Sequence, residues 1–163
     1  EFRRVLFRSR GDLHQPAFHV KDQWILPNIC YEDLFGEEIA AQLLAAADRH
    51  APVPSVLINV SNIAWFGDTI ALPQHLQISQ MRSLETARPM LRATNTGATA
   101  VIDHRGAVIA QLPAFTRGAL EVSVQGTQGL TPYVRLGNSL PIGLAFAVVA
   151  VLWLRARGRS IYD

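Results

Sequence analysis

Cys30 is the only cysteine in the chain, and it closes an apolar run, ILPNI, directly before Tyr31 and Glu32. A thiol at the end of a strand, on a sharp turn with a carboxylate two residues on, is placed for nucleophilic chemistry. The sulfur is exposed at a sheet edge, and nearby backbone N–H groups can hold an oxyanion. A lone cysteine is otherwise a small apolar residue that packs inside a fold. The elements around it must decide between the two. No other chemistry competes strongly, because His14, His19, His50, His75 and His104 lack metal-ligand spacing and no glycine-rich phosphate loop is present. The pattern calls for no metal and no cofactor, and a single cysteine cannot form an internal disulfide.

The elements that must position Cys30 follow from local periodicity. Residues 23–30 read as a mostly buried strand with Trp24, Ile25, Leu26 and Ile29 in the core. Glu37 and Glu38 open a helix, favourable near the positive end of its dipole, and Ile39, Leu43 and Ala46 repeat along it to about His50. Pro52 and Pro54 stop it. Residues 55–60, SVLINV, form a second buried strand, which delivers the loop SNIAWFGD to the same sheet edge as Cys30. A second helix spans residues 73–87, with Ile78, Met81, Leu84 and Ala87 along one side. Strands are then expected at 90–94, 98–103, 108–112 and 120–124, with a hairpin turn at His104-Arg105-Gly106. Buried strands each followed by a helix, then a run of strands, predict an α/β layered fold.

Charge and hydropathy narrow the partners. Seven of the fourteen arginines lie in the two tails, and residues 11–154 carry eight basic against eleven acidic side chains. That balance excludes a basic nucleic-acid footprint on the folded part. With 49% hydrophobic and 17% charged residues, apolar surface is expected to face lipid or a partner. Residues 136–154 contain no charge and read as a membrane helix. Asn138 or Ser139 can cap it, Pro141 fits its first turn and Trp153 suits an interface. Arg155, Arg157 and Arg159 follow at once, so the positive-inside tendency puts the C-terminus in the cytoplasm and Cys30 on the outer side. The expected organisation is a non-native leader at residues 1–9, a folded region at 10–135, the membrane helix at 136–155 and a short tail at 156–163.

Four stretches, ICYEDLFGEE, LINVSNIAWFGD, QHLQISQMRSLETARPMLRATNTGATAVID and GLTPYVRLGN, occur in that order before the apolar helix. In this the chain resembles the C-terminal part of bacterial apolipoprotein N-acyltransferases, a membrane-embedded branch of the nitrilase, or carbon–nitrogen hydrolase, superfamily. The resemblance implies the C-terminal half of a nitrilase-type α/β/β/α sandwich, facing the periplasm from the inner membrane and followed by one transmembrane helix. It implies Cys30 as nucleophile, with Tyr31 and Glu32 at positions needed for activity. Trp65 and Phe66 match a loop that walls the site, or are ordinary core aromatics. The implied partners are a membrane phospholipid as acyl donor and the diacylated N-terminus of a lipoprotein as acceptor. Arg88, Arg92 and Asn95 match the family's RPLLRATN-like run and read first as fold-holding residues. Ile63 departs from the acidic residue common at its position. The glutamate base and the lysine that such chemistry uses precede the cysteine by a long stretch and are not found here, so this chain alone is expected to be inactive. Two other readings fit parts of the pattern: a membrane-tethered binding module without catalysis, and a nitrilase-like amidase.

Overall fold

A computed structural model describes residues 15–159 of the 163-residue chain. The stretch read as a leader, residues 1–9, lies outside the described residues, as do the last four of the tail. Six strands form one sheet in sequence order: β1 (Phe18–Val20), β2 (Gln23–Ile29), β3 (Val56–Ser61), β4 (Met90–Thr94), β5 (Ala100–Ile102) and β6 (Val108–Gln111). The central three run parallel, and the pairings on either side of them are antiparallel. Parallel neighbours need a crossover. Helices α1 (Gly36–Asp48) and α2 (Ala71–Thr86) supply the two crossovers, β2 to β3 and β3 to β4.

One face of the sheet is packed. Leu26, Leu57, Met90, Ala100 and Ile102 meet Ile39 and Leu43 of α1, Leu76 of α2 and Val134 of α3 (Pro132–Leu136) in one apolar cluster. Burying each large aliphatic side chain contributes about 1.5–3 kcal/mol. The other face is covered only in part, and it opens toward the C-terminal ends of β2 and β3. Ile29 and Val60, which alternate with the packed residues along β2 and β3, are 65% and 52% exposed. Ile29 was expected in the core; it ends its strand on the outward side, and only Leu26 of the four predicted core residues is fully buried.

Helix α2 departs further from expectation. Its predicted apolar stripe faces outward, with Met81 44% and Leu84 53% exposed and Ile78 half-buried. The buried side is mostly polar: Leu72, His75, Leu76, Ser79, Ser83 and Thr86. Hydrogen-bonded polar groups beneath the helix select this face. Ser79 and His75 both bond Asp33, and Arg92 Nη1 donates to the His75 carbonyl at 3.1 Å.

The expected strand at 120–124 does not form. Its alternating side chains find no neighbouring strand, and without a ladder an extended segment stays as irregular chain. The hairpin at 103–107 does form. Asp103 accepts the backbone N–H groups of Arg105 and Ala107, both at 2.8 Å, and Gly106 takes the positive φ of 80°. Those N–H groups hold the Asp103 carboxyl below its usual range.

Helix α4 runs from Ser139 to Arg159. Its segment Ser139–Arg157 is long and apolar enough to cross a membrane, and none of it is buried against the fold. At 1.5 Å per residue, 19 residues span about 28 Å, close to the ~30 Å hydrocarbon core. The Ile142 N–H bonds the Asn138 carbonyl at 3.1 Å, so the helix starts where the capping residues predict. Arg157 sits over the Trp153 ring at 3.8 Å, a cation–π contact at its polar end.

Candidate active site

The C-terminal ends of β2, β3 and β4 align, since Ile29 pairs with Val60 and Ser61 with Thr94. Ligands of parallel sheets bind at this end of the strands. Cys30 is the first residue beyond β2, with φ of 53° in the left-handed region that a non-glycine residue occupies only under constraint. Such a conformation costs about 1–3 kcal/mol and persists where surrounding bonds over-determine it. Those bonds are present. The Ile29 N–H donates to Glu32 Oε2 at 2.6 Å across the turn, and Asn59 Nδ2 donates to the Cys30 carbonyl at 2.9 Å. Asn59 also bonds Asn28 Oδ1 at 2.6 Å, tying the ends of β2 and β3 together. The predicted sharp turn is therefore observed, and Glu32 holds its backbone.

The loop after β3 reaches the same place. Cys30 Sγ lies 4.0 Å from the Asn62 carbonyl. Asn95, beyond β4, accepts the Ile63 N–H at 3.1 Å and donates to Asn62 Oδ1 at 2.7 Å, which fixes the start of the loop. Ile63 is fully buried, and a Cβ on Gly97 would lie 1.9 Å from its Cδ1. An apolar side chain at 63 thus fits a space that glycine leaves open. Tyr31 meets Phe66 edge-on at 5.9 Å, and Phe66 leans on Trp65 at 5.4 Å, so these three and Cys30 share one surface. Trp65 is 75% exposed and is not a core aromatic.

Beneath the turn lies a cluster of which sequence reasoning singled out only Arg92, as a fold-holding residue. Asp33 has no exposure, and its carboxylate accepts Ser79 Oγ at 2.6 Å, His75 Nε2 at 3.0 Å and Arg92 Nη1 at 3.4 Å. Arg92 also donates to the carbonyls of Ala98 and His75, both at 3.1 Å. Burial pushes the Arg92 guanidinium below its usual value, while Asp33 and Cys30 act to keep it charged. The spacing of His75 and Ser79, one turn apart on α2, could have marked them as one helix face; Asp33 carried no local signal. Asn28 and Asn59, polar residues at matching register in apolar strands, were the readable clue to the bonds at the strand ends.

The profile of the Carbon-nitrogen hydrolase family matches residues 1–133, and the chain belongs to that family. Solved structures agree on the fold. A carbon-nitrogen hydrolase from Helicobacter pylori is similar with TM-score 0.52 and 13% identity, over 64% of this chain and 41% of its own. An amidase from Nesterenkonia sp. is similar with TM-score 0.50 and 20% identity, over 68% of this chain and 41% of its own. Within the family the chain resembles one particular protein. It is 59% identical to the apolipoprotein N-acyltransferase of Ralstonia nicotianae over 91% of this chain, and 55% identical to that of Nitrosomonas europaea over 90%. It spans 28% and 27% of the lengths of those relatives.

Proposed function

We propose that this chain supplies the nucleophile and part of the acyl-binding wall of an apolipoprotein N-acyltransferase. One observation carries the reading: Cys30 sits on a constrained left-handed turn at the C-terminal sheet edge, beside an exposed aromatic surface. In the first step the Cys30 thiolate attacks the ester carbonyl of a membrane phospholipid. The C–S bond forms, the C–O bond breaks, and the lysophospholipid leaves as an alcohol after taking a proton. In the second, the free α-amine of a diacylglyceryl-cysteine attacks the thioester. The C–N bond forms, the thiolate departs and the ammonium proton is lost to a base. A thiolate suits both steps, being a strong nucleophile and a good leaving group.

The backbone N–H of Tyr31 is assigned to the oxyanion, Glu32 to holding the turn, and Trp65 with Phe66 to the acyl chain. The glutamate base and the lysine are assigned to the remainder of the whole protein, as is the second sheet that would cover Ile29 and Val60. The segment Ser139–Arg157 serves as the membrane span, starting three residues later than the sequence suggests because Leu136 closes α3, with the folded region periplasmic and the arginine-rich end cytoplasmic. The start of α4 supports a site close to the bilayer. Asn138 Nδ2 bonds Glu37 Oε1, only seven residues after Cys30, which is at most about 25 Å of chain. That proximity, with the apolar helix, favours a lipid acyl donor over a small soluble amide.

The test uses the complete protein in phospholipid vesicles, with peptide mass spectrometry to locate the acyl group. Wild type is expected to carry a thioester on Cys30, and Cys30→Ser to lose transfer by at least about a thousandfold while unfolding at the same temperature. An acylated intermediate on any other residue sinks the assignment.

A further inference from the structure

Four rings form a row from the interior to the surface beside Cys30. His75, 3% exposed, stacks on Tyr31 with centroids 5.1 Å apart and planes 17° apart. Tyr31 then meets Phe66, and Phe66 meets Trp65. His75 is the anchored end. Asp33, an acceptor, bonds the His75 Nε2, so that nitrogen is the donor. Its Nδ1 is buried with no partner among the described residues, so the ring is held through one nitrogen and one face. Placing an imidazole, a carboxylate and a guanidinium together out of water is costly unless each is satisfied. A leucine would fill the same space without that requirement. The acyl transfer itself gives His75 no proton to move, since Tyr31 lies between it and the surface.

We propose that His75 is a positioning residue for the transfer: clamped by Asp33, its ring sets the plane of Tyr31, and Tyr31 with Phe66 sets the wall along which the acyl chain on Cys30 lies. This rests on the thioester reading above. Tyr31 follows Cys30 directly, so a Tyr31 ring that leaves His75 for another rotamer also leaves its edge contact with Phe66 and opens the wall next to the thioester. Misplacement of about 1 Å at a reacting centre can slow a reaction a hundredfold.

The experiment is a double-mutant cycle in the complete protein, reading the rate of Cys30 acylation from phospholipid, with each rate divided by the folded fraction from thermal unfolding. His75→Ala is expected to slow acylation about 10- to 100-fold in the natural background and less than about threefold in a Tyr31→Ala background. Equal factors in both backgrounds overturn the proposal, because a merely structural histidine acts independently of Tyr31. His75→Phe and His75→Gln carry the test if the alanine variant does not fold. Phe keeps a ring against Tyr31 and is expected to retain more of the rate; Gln keeps a donor for Asp33 and loses the ring. The reverse order overturns the proposal. A wild type that never acylates on Cys30 removes the transfer reading and this role with it, whereas a wild type that acylates with an additive cycle removes only the role of His75.

Discussion

Arg88 lies two residues before β4 and Arg92 in the middle of it, and both are buried, with 1% and 2% exposure. Their partners differ in kind. Arg88 donates to main-chain carbonyls, Pro54 at 2.7 Å and Thr86 at 3.2 Å, with Gly129 and the Thr127 hydroxyl alongside. No carboxylate is among them. It ties the end of α2, where Ala87 takes a left-handed cap, to the loop before β3 and the segment leading to α3. Arg92 instead faces Asp33 under the turn. Burial lowers the pKa of both guanidiniums, but only Arg92 has charged neighbours that oppose it. Two arginines of one motif thus serve opposite ends of the sheet, one closing the fold and the other supporting the reactive turn.

Removing each arginine should separate these roles. Arg92→Met leaves Asp33 as a buried charge without its cation, and is expected to cost about 3–5 kcal/mol of stability. Acylation per folded molecule should also fall, because Asp33 under the turn loses one of the three donors that hold it. Thermal unfolding and thioester yield in the same sample measure both. Arg88→Met leaves several carbonyls unsatisfied and should cost about 2–4 kcal/mol, yet the acylation rate per folded molecule should stay within about twofold. A loss of rate as large as that of Arg92→Met would erase the distinction. A smaller effect is expected at Glu85, between the two regions on α2. Burial holds its carboxyl above the usual range, with Arg82 opposing. The folded chain therefore keeps a proton that the unfolded chain has released, and stability falls as pH rises from the ordinary value through the raised one. Glu85→Gln abolishes that dependence. Relative to wild type, its unfolding temperature should climb between about pH 4 and pH 7, by no more than about 2 °C given the group's partial exposure.

Legibility in the sequence follows the range of the interactions. The parallel strands, α1 and the apolar helix were readable because each depends on neighbours within a turn or a pleat. So was the sharp turn at Cys30, since an apolar run ending in Cys-Tyr-Glu is local. The buried face of α2 was not. Ile78, Met81 and Leu84 form the more apolar side, and period alone assigns that side to the core.

By itself, then, the order of residues determined the alternation of strands and helices, the placing of Cys30 beyond β2 and the membrane-length helix at Ser139. Only the tertiary structure decided what lies under Cys30. Asp33 meets His75, Ser79 and Arg92 across 42, 46 and 59 residues, and no local pattern encodes a partner at that distance. The same holds for the strand expected at 120–124. A strand is a property of a pair, and its alternation can be present in the chain while the sheet offers it no neighbour. Burial of α2's polar side has the same physical cause: Asp33, once enclosed, must find its donors, and the helix turns toward it the face that carries them.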